Sequence, residues 1–221
     1  MGANLLVDTR QQKGKHEIKN EWWASHGVST SRCKLDFGDY MVDGSNISID
    51  TKRDIDEIAK NINGKNHDRF KRECQRAAAA GYRLVILVEN RDGVISLEDL
   101  EKWINGHCRA CKNYRTKKCD PCDSSTKCGK HNTRKPIQGA RLAKAMSTMS
   151  ERYGVRFEFC DPHDAARRIC FLLGIDYELT CSDCYRFDNG TCKAGYRFTL
   201  IEGPAAPTDG KNRMCEWGCV F

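Results

Sequence analysis

Two carboxylates and a lysine stand near one another in the chain, in a pattern suited to cutting a phosphodiester bond. Asp39 follows Gly38, and Asp50 lies two residues before Lys52. Side chains two residues apart on a strand share one face, so Asp50 and Lys52 would project together if residues 46–52 form a strand. Carboxylates suit Mg²⁺ or Mn²⁺, and a lysine beside such an ion can orient water and neutralise phosphate charge. The pattern predicts a metal site held by Asp39 and Asp50, with Lys52 acting on the water and the phosphate.

The surrounding segments have the periodicity of an α/β domain. Residues 3–8 and 82–90 are apolar runs typical of buried strands, and residues 155–159 form a further expected strand. Helical spacing predicts helices over residues 16–27, 67–80, 137–153 and 161–174. Capping residues predict two further helices, one that starts at Asp54 and one that starts at Ser96. The helix over 161–174 would have Asp161 as its cap and Pro162 as its first residue. Strands come first and then alternate with helices, so we expect a mixed central sheet flanked by helices.

Five segments follow one another in an order that resembles the nuclease domain of the XPF family of structure-specific endonucleases, within the PD-(D/E)xK superfamily. They read LLVDTR, LDFGDYMV, SIDTKRDID, NGKNHDRF and YRLVILVEN. The matching positions are Asp8, Arg10, Gly38, Asp39, Asp50, Lys52 and Asp56. The resemblance covers roughly residues 4–90 and extends plausibly through the helices to residue 174. It implies a restriction-endonuclease-like fold.

The resemblance also implies roles for residues around the metal site. Asp8, Arg10 and Glu17 would form a supporting shell, with Glu21 as the alternative to Glu17. Asp56 would bond backbone amides or hold Lys52 or Arg53; the competing interpretation is a favourable charge in the first turn of a helix. The family's Glu-Arg-Lys is Asp-Thr-Lys here, so the phosphate-positioning arginine is absent, and Arg53 is a candidate replacement.

Charge and composition fit a polyanionic partner. The 221 residues carry a net charge of +7, with a pI near 8.7. No apolar run approaches the ~18 residues of a membrane span, and the N-terminus does not resemble a secretory signal. The sequence contains neither a helix-hairpin-helix module nor helicase motifs, which resembles stand-alone phage or prophage forms of the family. A cytoplasmic location in a bacterial host is therefore expected, and a homodimer stays open.

The leading hypothesis is a Mg²⁺-dependent endonuclease acting on branched or flap DNA. One alternative is a catalytically inactive nuclease fold that serves as a zinc-stapled DNA-binding adaptor. Another is a nuclease directed at single strands or RNA on the same fold. The presence of Asp39, Asp50 and Lys52 favours the active enzyme.

Many of the 14 cysteines lie in two clusters with the spacing of metal-binding knuckles. The first, in an insertion at residues 106–135, contains Cys108, Cys111, Cys119, Cys122, Cys128 and His131. The simplest zinc set is its first four cysteines; the alternative replaces one pair with Cys128 and His131. Lysines and arginines surround this loop and favour DNA contact.

The second cluster lies in the segment 176–221, which we interpret as a small tail separate from a domain of residues 1–175. It contains Cys181, Cys184, Cys192 and Cys215, with Cys219 in addition. Zinc is the expected metal, making two in all, and an iron–sulfur cluster is the minority option. Outside the clusters, Cys33, Cys74, Cys160 and Cys170 follow apolar patterns typical of a core. Trp22 and Trp23 could stack on bases, although one of them should belong to the core.

Overall fold

The computed structural model describes residues 3–11, 14, 16–123, 127–128 and 135–178, together with the backbone of four short strands farther along the chain. Six strands form the main sheet: β1 (Leu5–Asp8), β2 (Thr30–Cys33), β3 (Tyr40–Val42), β4 (Ile47–Lys52), β5 (Arg83–Glu89) and β6 (Arg156–Cys160). Their order across the sheet is β2–β1–β3–β4–β5–β6. The predicted mixed sheet is confirmed.

The direction of β3 determines which strand ends meet. β3 runs antiparallel to both β1 and β4, whereas the β1–β2, β4–β5 and β5–β6 pairs are parallel. The carboxyl ends of β1, β4, β5 and β6 therefore lie at the same edge of the sheet as the amino end of β3. We call this the carboxyl edge.

Helices cover both faces of the sheet. They are α1 (Glu17–Ser25), α2 (Ile55–Asn63), α3 (His67–Ala79), α4 (Leu97–Glu101), α5 (Gly106–Arg109), α6 (Lys112–Arg115), α7 (Gly139–Tyr153) and α8 (Ala165–Leu173). The arrangement is consistent with the predicted restriction-endonuclease-like fold.

The buried strand β5 divides the core into two clusters. Leu84, Ile86 and Val88 pack with α2, α3, α4 and α7 on one face. Val85 and Leu87 pack with α1 and α8 on the other. Because successive strand residues point to opposite faces, an apolar run buries both sides of the sheet at once. The face covered by α2 and α3 is the one that carries the candidate site.

Local signals place the helix starts on either side of the site. The Asp54 carboxylate caps α2 by accepting a hydrogen bond of 2.6 Å from the Glu57 backbone amide. The Ser96 hydroxyl accepts from the Asp99 amide at 3.1 Å and caps α4 in the same way. Both caps are confirmed. Each satisfies a helix-end donor that would otherwise lack a partner.

The start of α8 was predicted wrongly. The helix begins at Ala165, three residues after the expected first position, Pro162. The Asp161 carboxylate accepts from the His163 amide at 2.9 Å and the Asp161 carbonyl from the Asp164 amide at 3.0 Å. These bonds close a turn, so Asp161 stabilises the turn before the helix and does not cap the helix itself.

The expectations for the isolated cysteines and tryptophans are confirmed with one exception. Cys74, Cys160 and Cys170 are buried, whereas Cys33 is only half-buried on the edge strand β2. Trp23 is fully buried. Trp22 is half-buried and stacks on His26, with 3.9 Å between the ring centroids. Its face is therefore already engaged within the protein.

Beyond residue 178, the structure describes two antiparallel strand pairs. They are β7 (Phe187–Asp188) with β8 (Thr191–Cys192), and β9 (Phe198–Thr199) with β10 (Ala206–Pro207). The division into residues 1–175 and 176–221 stays a prediction. Among the described residues, none of the helices has the length and apolar character needed to cross a membrane.

Candidate functional site

The carboxyl edge brings together the residues that the sequence separates. Asp8 ends β1, Asp39 precedes β3, and Asp50 and Lys52 end β4. Backbone hydrogen bonds hold these segments side by side: the Asp8 amide donates to the Asp39 carbonyl at 2.9 Å, and the Asp39 amide donates to the Ile49 carbonyl at 2.7 Å. The predicted convergence therefore has a topological cause, since β3 enters the sheet where β1 and β4 end.

Strand alternation places the Asp8 and Asp50 side chains on one face. Val7, Tyr40 and Ile49 belong to the core beneath α1 and α8. Their strand neighbours Asp8 and Asp50 therefore project to the opposite face, which α2 and α3 cover. Asp39 lies between these two strands at the carboxyl edge, held by its backbone hydrogen bonds to Asp8 and Ile49. The side chains of the candidate site thus lie beneath or beside α3.

Gly38 makes the turn that delivers Asp39. Its φ is +67°, in the left-handed region that glycine adopts without steric cost. A Cβ at this position would lie 2.4 Å from the Ser48 hydroxyl oxygen and 2.7 Å from the Ile49 carbonyl oxygen. The Ser48 hydroxyl also donates to the Phe37 carbonyl at 2.5 Å. Only glycine allows the chain to pass this close to β4 immediately before the carboxylate.

Thr51 orients Asp39. The Oδ2 atom of Asp39 accepts hydrogen bonds from the Thr51 amide at 2.9 Å and from the Thr51 hydroxyl at 2.6 Å. Within the described part of the chain, Oδ1 of Asp39 accepts no hydrogen bond. The XPF pattern has arginine at the position of Thr51. In this chain the threonine side chain contacts the Asp39 carboxylate. One oxygen of Asp39 remains available for a ligand.

Asp50 and Lys52 form a buried ion pair. Their residues are 6% and 9% exposed, and Lys52 Nζ donates to Asp50 Oδ2 at 2.5 Å. The Phe70 ring of α3 lies against the pair, with its centroid 5.6 Å from Lys52 Nζ. The exposed approach to the site is therefore on the side of Asp39, which is only half-buried.

Burial and neighbouring charges shift the pKa values of this pair. Burial raises the pKa of Asp50 to about 7; the Lys52 charge opposes the shift, while Asp39 and Glu73 add to it. Burial is the largest influence on the pKa of Lys52 and lowers it, but the charge and hydrogen bond of Asp50, together with the charges of Asp39 and Glu57, bring the pKa above its ordinary value. The site is thus a region of concentrated negative charge in which Lys52 stays protonated.

Asp8 and Arg10 hold each other at the border of the site. Asp8 is 1% exposed and accepts hydrogen bonds from the Arg10 amide at 2.7 Å, from Nε at 2.8 Å and from Nη2. Nη2 also donates to the Leu35 carbonyl at 2.8 Å. Burial by itself raises the pKa of Asp8, but the hydrogen bonds from Arg10 bring it below its ordinary value. Asp8 is therefore a permanent carboxylate whose partner is Arg10.

Glu17 and Asp56 lie apart from this group. Both line a cavity of about 650 Å³ whose walls include Glu89, Asn90 and Arg109 but not Asp39, Asp50 or Lys52. Glu17 is exposed at the start of α1. The structure joins neither residue to Asp39, Asp50 or Lys52 by a hydrogen bond or an ion pair.

The expected partnership of Asp56 with Lys52 or Arg53 was wrong. Arg53 pairs with Asp54 at 3.2 Å and with Glu57 at 3.8 Å. Oδ1 of Asp56 is buried without a hydrogen-bond partner in the described structure. The two neighbouring carboxylates are closer to the Arg53 side chain and compete successfully for it.

Sequence reasoning missed Glu73. This half-buried residue of α3 contributes negative charge at both Asp50 and Arg10. Glu73 follows the buried Phe70 by three positions, which on a helix places it beside the buried face. That offset is the signal that could have identified it, once α3 was known to cover the site.

A second charged pair occupies the opposite face of the same edge. Lys19 of α1 and Glu89 at the end of β5 are 5% and 9% exposed and are joined by a short hydrogen bond. The apolar pattern of β5 gave no indication that its last residue would pair with the first helix. The pair ties α1 to the sheet beside the cavity that contains Glu17.

The cysteine-rich loop is folded around Cys108. Cys108 is buried in α5, and the Gln138 side-chain amide lies 3.4 Å from its sulfur. Burial raises the pKa of its thiol, with further contributions from Cys119, Cys128 and Cys111. Cys122, by contrast, is exposed.

The structure does not complete a zinc site. Among the described residues, no group of three or more His, Cys, Asp or Glu side chains could hold a metal ion. His131 lies outside the described residues, as do Cys181, Cys184 and Cys215, and for Cys192 only the backbone is described. Both predicted zinc sites stay predictions.

Comparison with known proteins finds likenesses among solved structures. No family model matches the chain, and no curated protein matches it. Among solved structures, the chain is similar to XPF from Aeropyrum pernix in complex with DNA, with 19% identity and a TM-score of 0.47. The alignment covers 78% of this chain and 64% of that protein, so the chain spans less than two thirds of its length.

Proposed function

We propose that the chain is a metal-dependent DNA endonuclease that hydrolyses phosphodiester bonds, with branched or flap DNA as its substrate. One observation carries the proposal: Asp39, Asp50 and Lys52 converge at the carboxyl edge, although β3 and a turn separate them in the chain. The preference for branched DNA comes only from the sequence resemblance. The net charge of +7 supports a nucleic-acid partner.

Asp39 and Asp50 fit a magnesium or manganese ion. Both offer hard oxygen donors, Asp39 keeps an oxygen without a hydrogen bond, and the charge of Asp39 disfavours ionisation of Asp50. A cation near both would relieve that repulsion. Magnesium commonly uses one or two carboxylates and completes its shell with water and phosphate, so a third protein ligand is not required. When bound, the ion would supply positive charge at the phosphate and acidify water.

The protein side chains provide positioning and charge. Thr51 keeps Asp39 in one orientation through two hydrogen bonds. Lys52 carries donors beyond the one given to Asp50 and can donate to a phosphate oxygen or to the attacking water. Phe70 and the β4 backbone exclude bulk water from the Asp50–Lys52 pair, which strengthens these interactions. A substrate phosphate would enter on the side of Asp39.

A cleavage assay tests this proposal. Labelled flap, fork and linear DNA are incubated with Mg²⁺ or Mn²⁺ and either the natural chain or Asp50→Asn. The natural chain should cut, with flap or fork preferred, and Asp50→Asn should lose at least about 100-fold in rate, because removing a metal ligand removes charge stabilisation in the transition state. Equal cutting by both proteins would refute the assignment of this site.

Metal binding provides a readout that does not depend on activity. Mg²⁺ should stabilise the natural chain against urea by about 2.7 kcal/mol at one hundred times its Kd. The same addition should leave Asp50→Asn unchanged. Asp36→Asn is a suitable control, since it removes one exposed acid from the loop before Asp39 and should respond to Mg²⁺ as the natural chain does.

An inactive DNA-binding adaptor is the second candidate. The burial of Asp50 and Lys52 and their mutual pairing favour it, because a closed pair leaves little room for a substrate. This candidate predicts that the chain binds DNA but cuts none of the three substrates with either metal. Cleavage that depends on Asp50 would exclude it.

We also propose that the two cysteine clusters bind structural zinc. The electrostatic influence of Cys119, Cys128 and Cys111 on the Cys108 thiol supports a shared site in the middle loop. Elemental analysis should find two zinc ions per chain and a colourless protein. Iron, with a visible absorption band, would instead indicate an iron–sulfur cluster at the tail.

A further inference from the structure

Three arginines of α3 project from one side of the helix. Arg69, Arg72 and Arg76 are all exposed. With 3.6 residues per turn, spacings of three and seven place their side chains within about 60° of one another around the helix axis. Their Cα atoms span about 10 Å along that axis, at about 1.5 Å per residue. The helix therefore carries a compact row of positive charge, which we call the arginine row.

The arginine row borders the candidate site. The guanidinium of Arg76 lies over the Phe37 ring, 5.5 Å from its centroid, and Phe37 immediately precedes the Gly38–Asp39 turn. Glu73, about 60° from Arg76 around the helix, acts electrostatically on Asp50 and Arg10. The Arg76 end of the row therefore lies beside the segment that leads into Asp39.

Two members of the row have no partner in the described structure. Neither Arg69 nor Arg72 makes a hydrogen bond or an ion pair there, and the exposed Lys65 just before the helix is in the same situation. Other arginines of the chain are engaged: Arg109 pairs with Asp92 at 2.7 Å, and Arg167 pairs with Asp164 at 3.0 Å. Unpaired guanidinium groups are hydrogen-bond donors with matching geometry for phosphate.

We propose that the arginine row binds one strand of duplex DNA through its phosphates and leads that strand to Asp39. A span of about 10 Å corresponds to about three nucleotides measured along the duplex axis, at about 3.4 Å of rise per nucleotide. Arg10, whose side chain is 60% exposed, extends the positive border on the β1 side. This inference rests on the proposed function, because it identifies how the substrate reaches that site.

Salt-dependent binding tests the row separately from catalysis. Binding of a labelled duplex is measured by fluorescence anisotropy from 50 to 300 mM NaCl without added Mg²⁺, using the full chain. Arg69→Ala/Arg72→Ala should make the negative slope of log K against log salt less steep by about 2, because each phosphate contact contributes about 0.9 to its magnitude. If the variant and the natural chain bind equally at 1 M salt, this difference in slope makes the affinity of the variant at 0.1 M salt about 60-fold lower.

Two matched variants control for charge and for folding. Arg141→Ala/Lys144→Ala also removes two positive charges that are three residues apart, from exposed positions on α7. The slope of log K against log salt for this variant should equal that of the natural chain. Arg69→Lys/Arg72→Lys keeps the charge and should restore most of the binding. The inference would be overturned if the slope of log K against log salt were unchanged in Arg69→Ala/Arg72→Ala, or if the α7 variant lost as much of that slope. It would also be overturned if the natural chain did not bind duplex DNA.

The outcomes separate this inference from the proposed function. A chain that binds DNA through the row but never cuts it would contradict the nuclease assignment and leave the row in place. A chain that cuts DNA in an Asp50-dependent manner, with a salt slope indifferent to Arg69 and Arg72, would retain the enzyme and exclude the row.

Discussion

Replacing Asp50 with asparagine should abolish cleavage, and the stability of this variant relative to the natural chain should rise with pH. The folded-state pKa of Asp50 is about 7, raised from 3.8 by burial above all. The folded state therefore holds the proton more tightly than the unfolded chain. Such a group favours folding at low pH and loses that contribution as pH rises from about 4 to about 7.

The size of the effect follows from the shift. A difference of about 3 pKa units corresponds to about 4 kcal/mol between the two pH limits, at 1.36 kcal/mol per unit. Between pH 5 and pH 8 the expected change is about 3 kcal/mol. Asparagine resembles the protonated acid in shape and charge, so Asp50→Asn escapes this loss. The free energy of unfolding of Asp50→Asn, relative to that of the natural chain, should therefore rise by about 3 kcal/mol from pH 5 to pH 8.

Urea unfolding at pH 5 and pH 8, without added divalent metal, measures the difference. Asp36→Asn, which changes an exposed acid in the loop before Asp39, should show a gap from the natural chain that varies little with pH. If the gap for Asp50→Asn were constant or narrowed toward pH 8, Asp50 would be ionised in the folded protein throughout. The account of a buried, proton-holding carboxylate would then be wrong.

Three further predictions concern the same site. Because kcat/KM follows the ionisation of the free enzyme, it should fall about tenfold per pH unit below pH 7 as Asp50 is protonated, and a flat profile down to pH 5 would contradict this. Thr51→Val removes the hydroxyl bond to Asp39 but keeps the amide bond, so cleavage should drop by about tenfold and the free energy of unfolding in urea should fall by only about 1–2 kcal/mol; loss of the fold would contradict that reasoning. Gly38→Ala places a Cβ against the Ser48 hydroxyl in a residue whose φ is +67°, so the free energy of unfolding in urea should fall by about 2–4 kcal/mol. An unchanged free energy of unfolding would show that the turn relaxes freely.

Much of the fold was readable because its signals are local. The apolar run of β5, the caps at Asp54 and Ser96, and the stop at Gly174 each depend on neighbours within a few residues, and the structure retains all of them. The pairing of Asp50 with Lys52 was readable for the same reason, since a strand repeats every two residues.

Residues distant in sequence could not be assigned in the same way. Glu17 and Asp56 matched a motif, yet they face a cavity apart from Lys52. Glu73 matched nothing, yet it lies beside Asp50 because α3 crosses that face of the sheet. Motif spacing records order along the chain, whereas electrostatic neighbours depend on how helices pack across strands.

The amino-acid sequence by itself determined the strands and helices, the Asp50–Lys52 pair on β4, and the glycine that turns the chain into Asp39. Only the tertiary structure decided that Thr51 would hold Asp39, that Phe70 would cover Lys52, and that Arg76 of α3 would lie over Phe37. The physical reason is range: backbone preferences act over a few residues, whereas burial and charge act between any side chains that packing brings together.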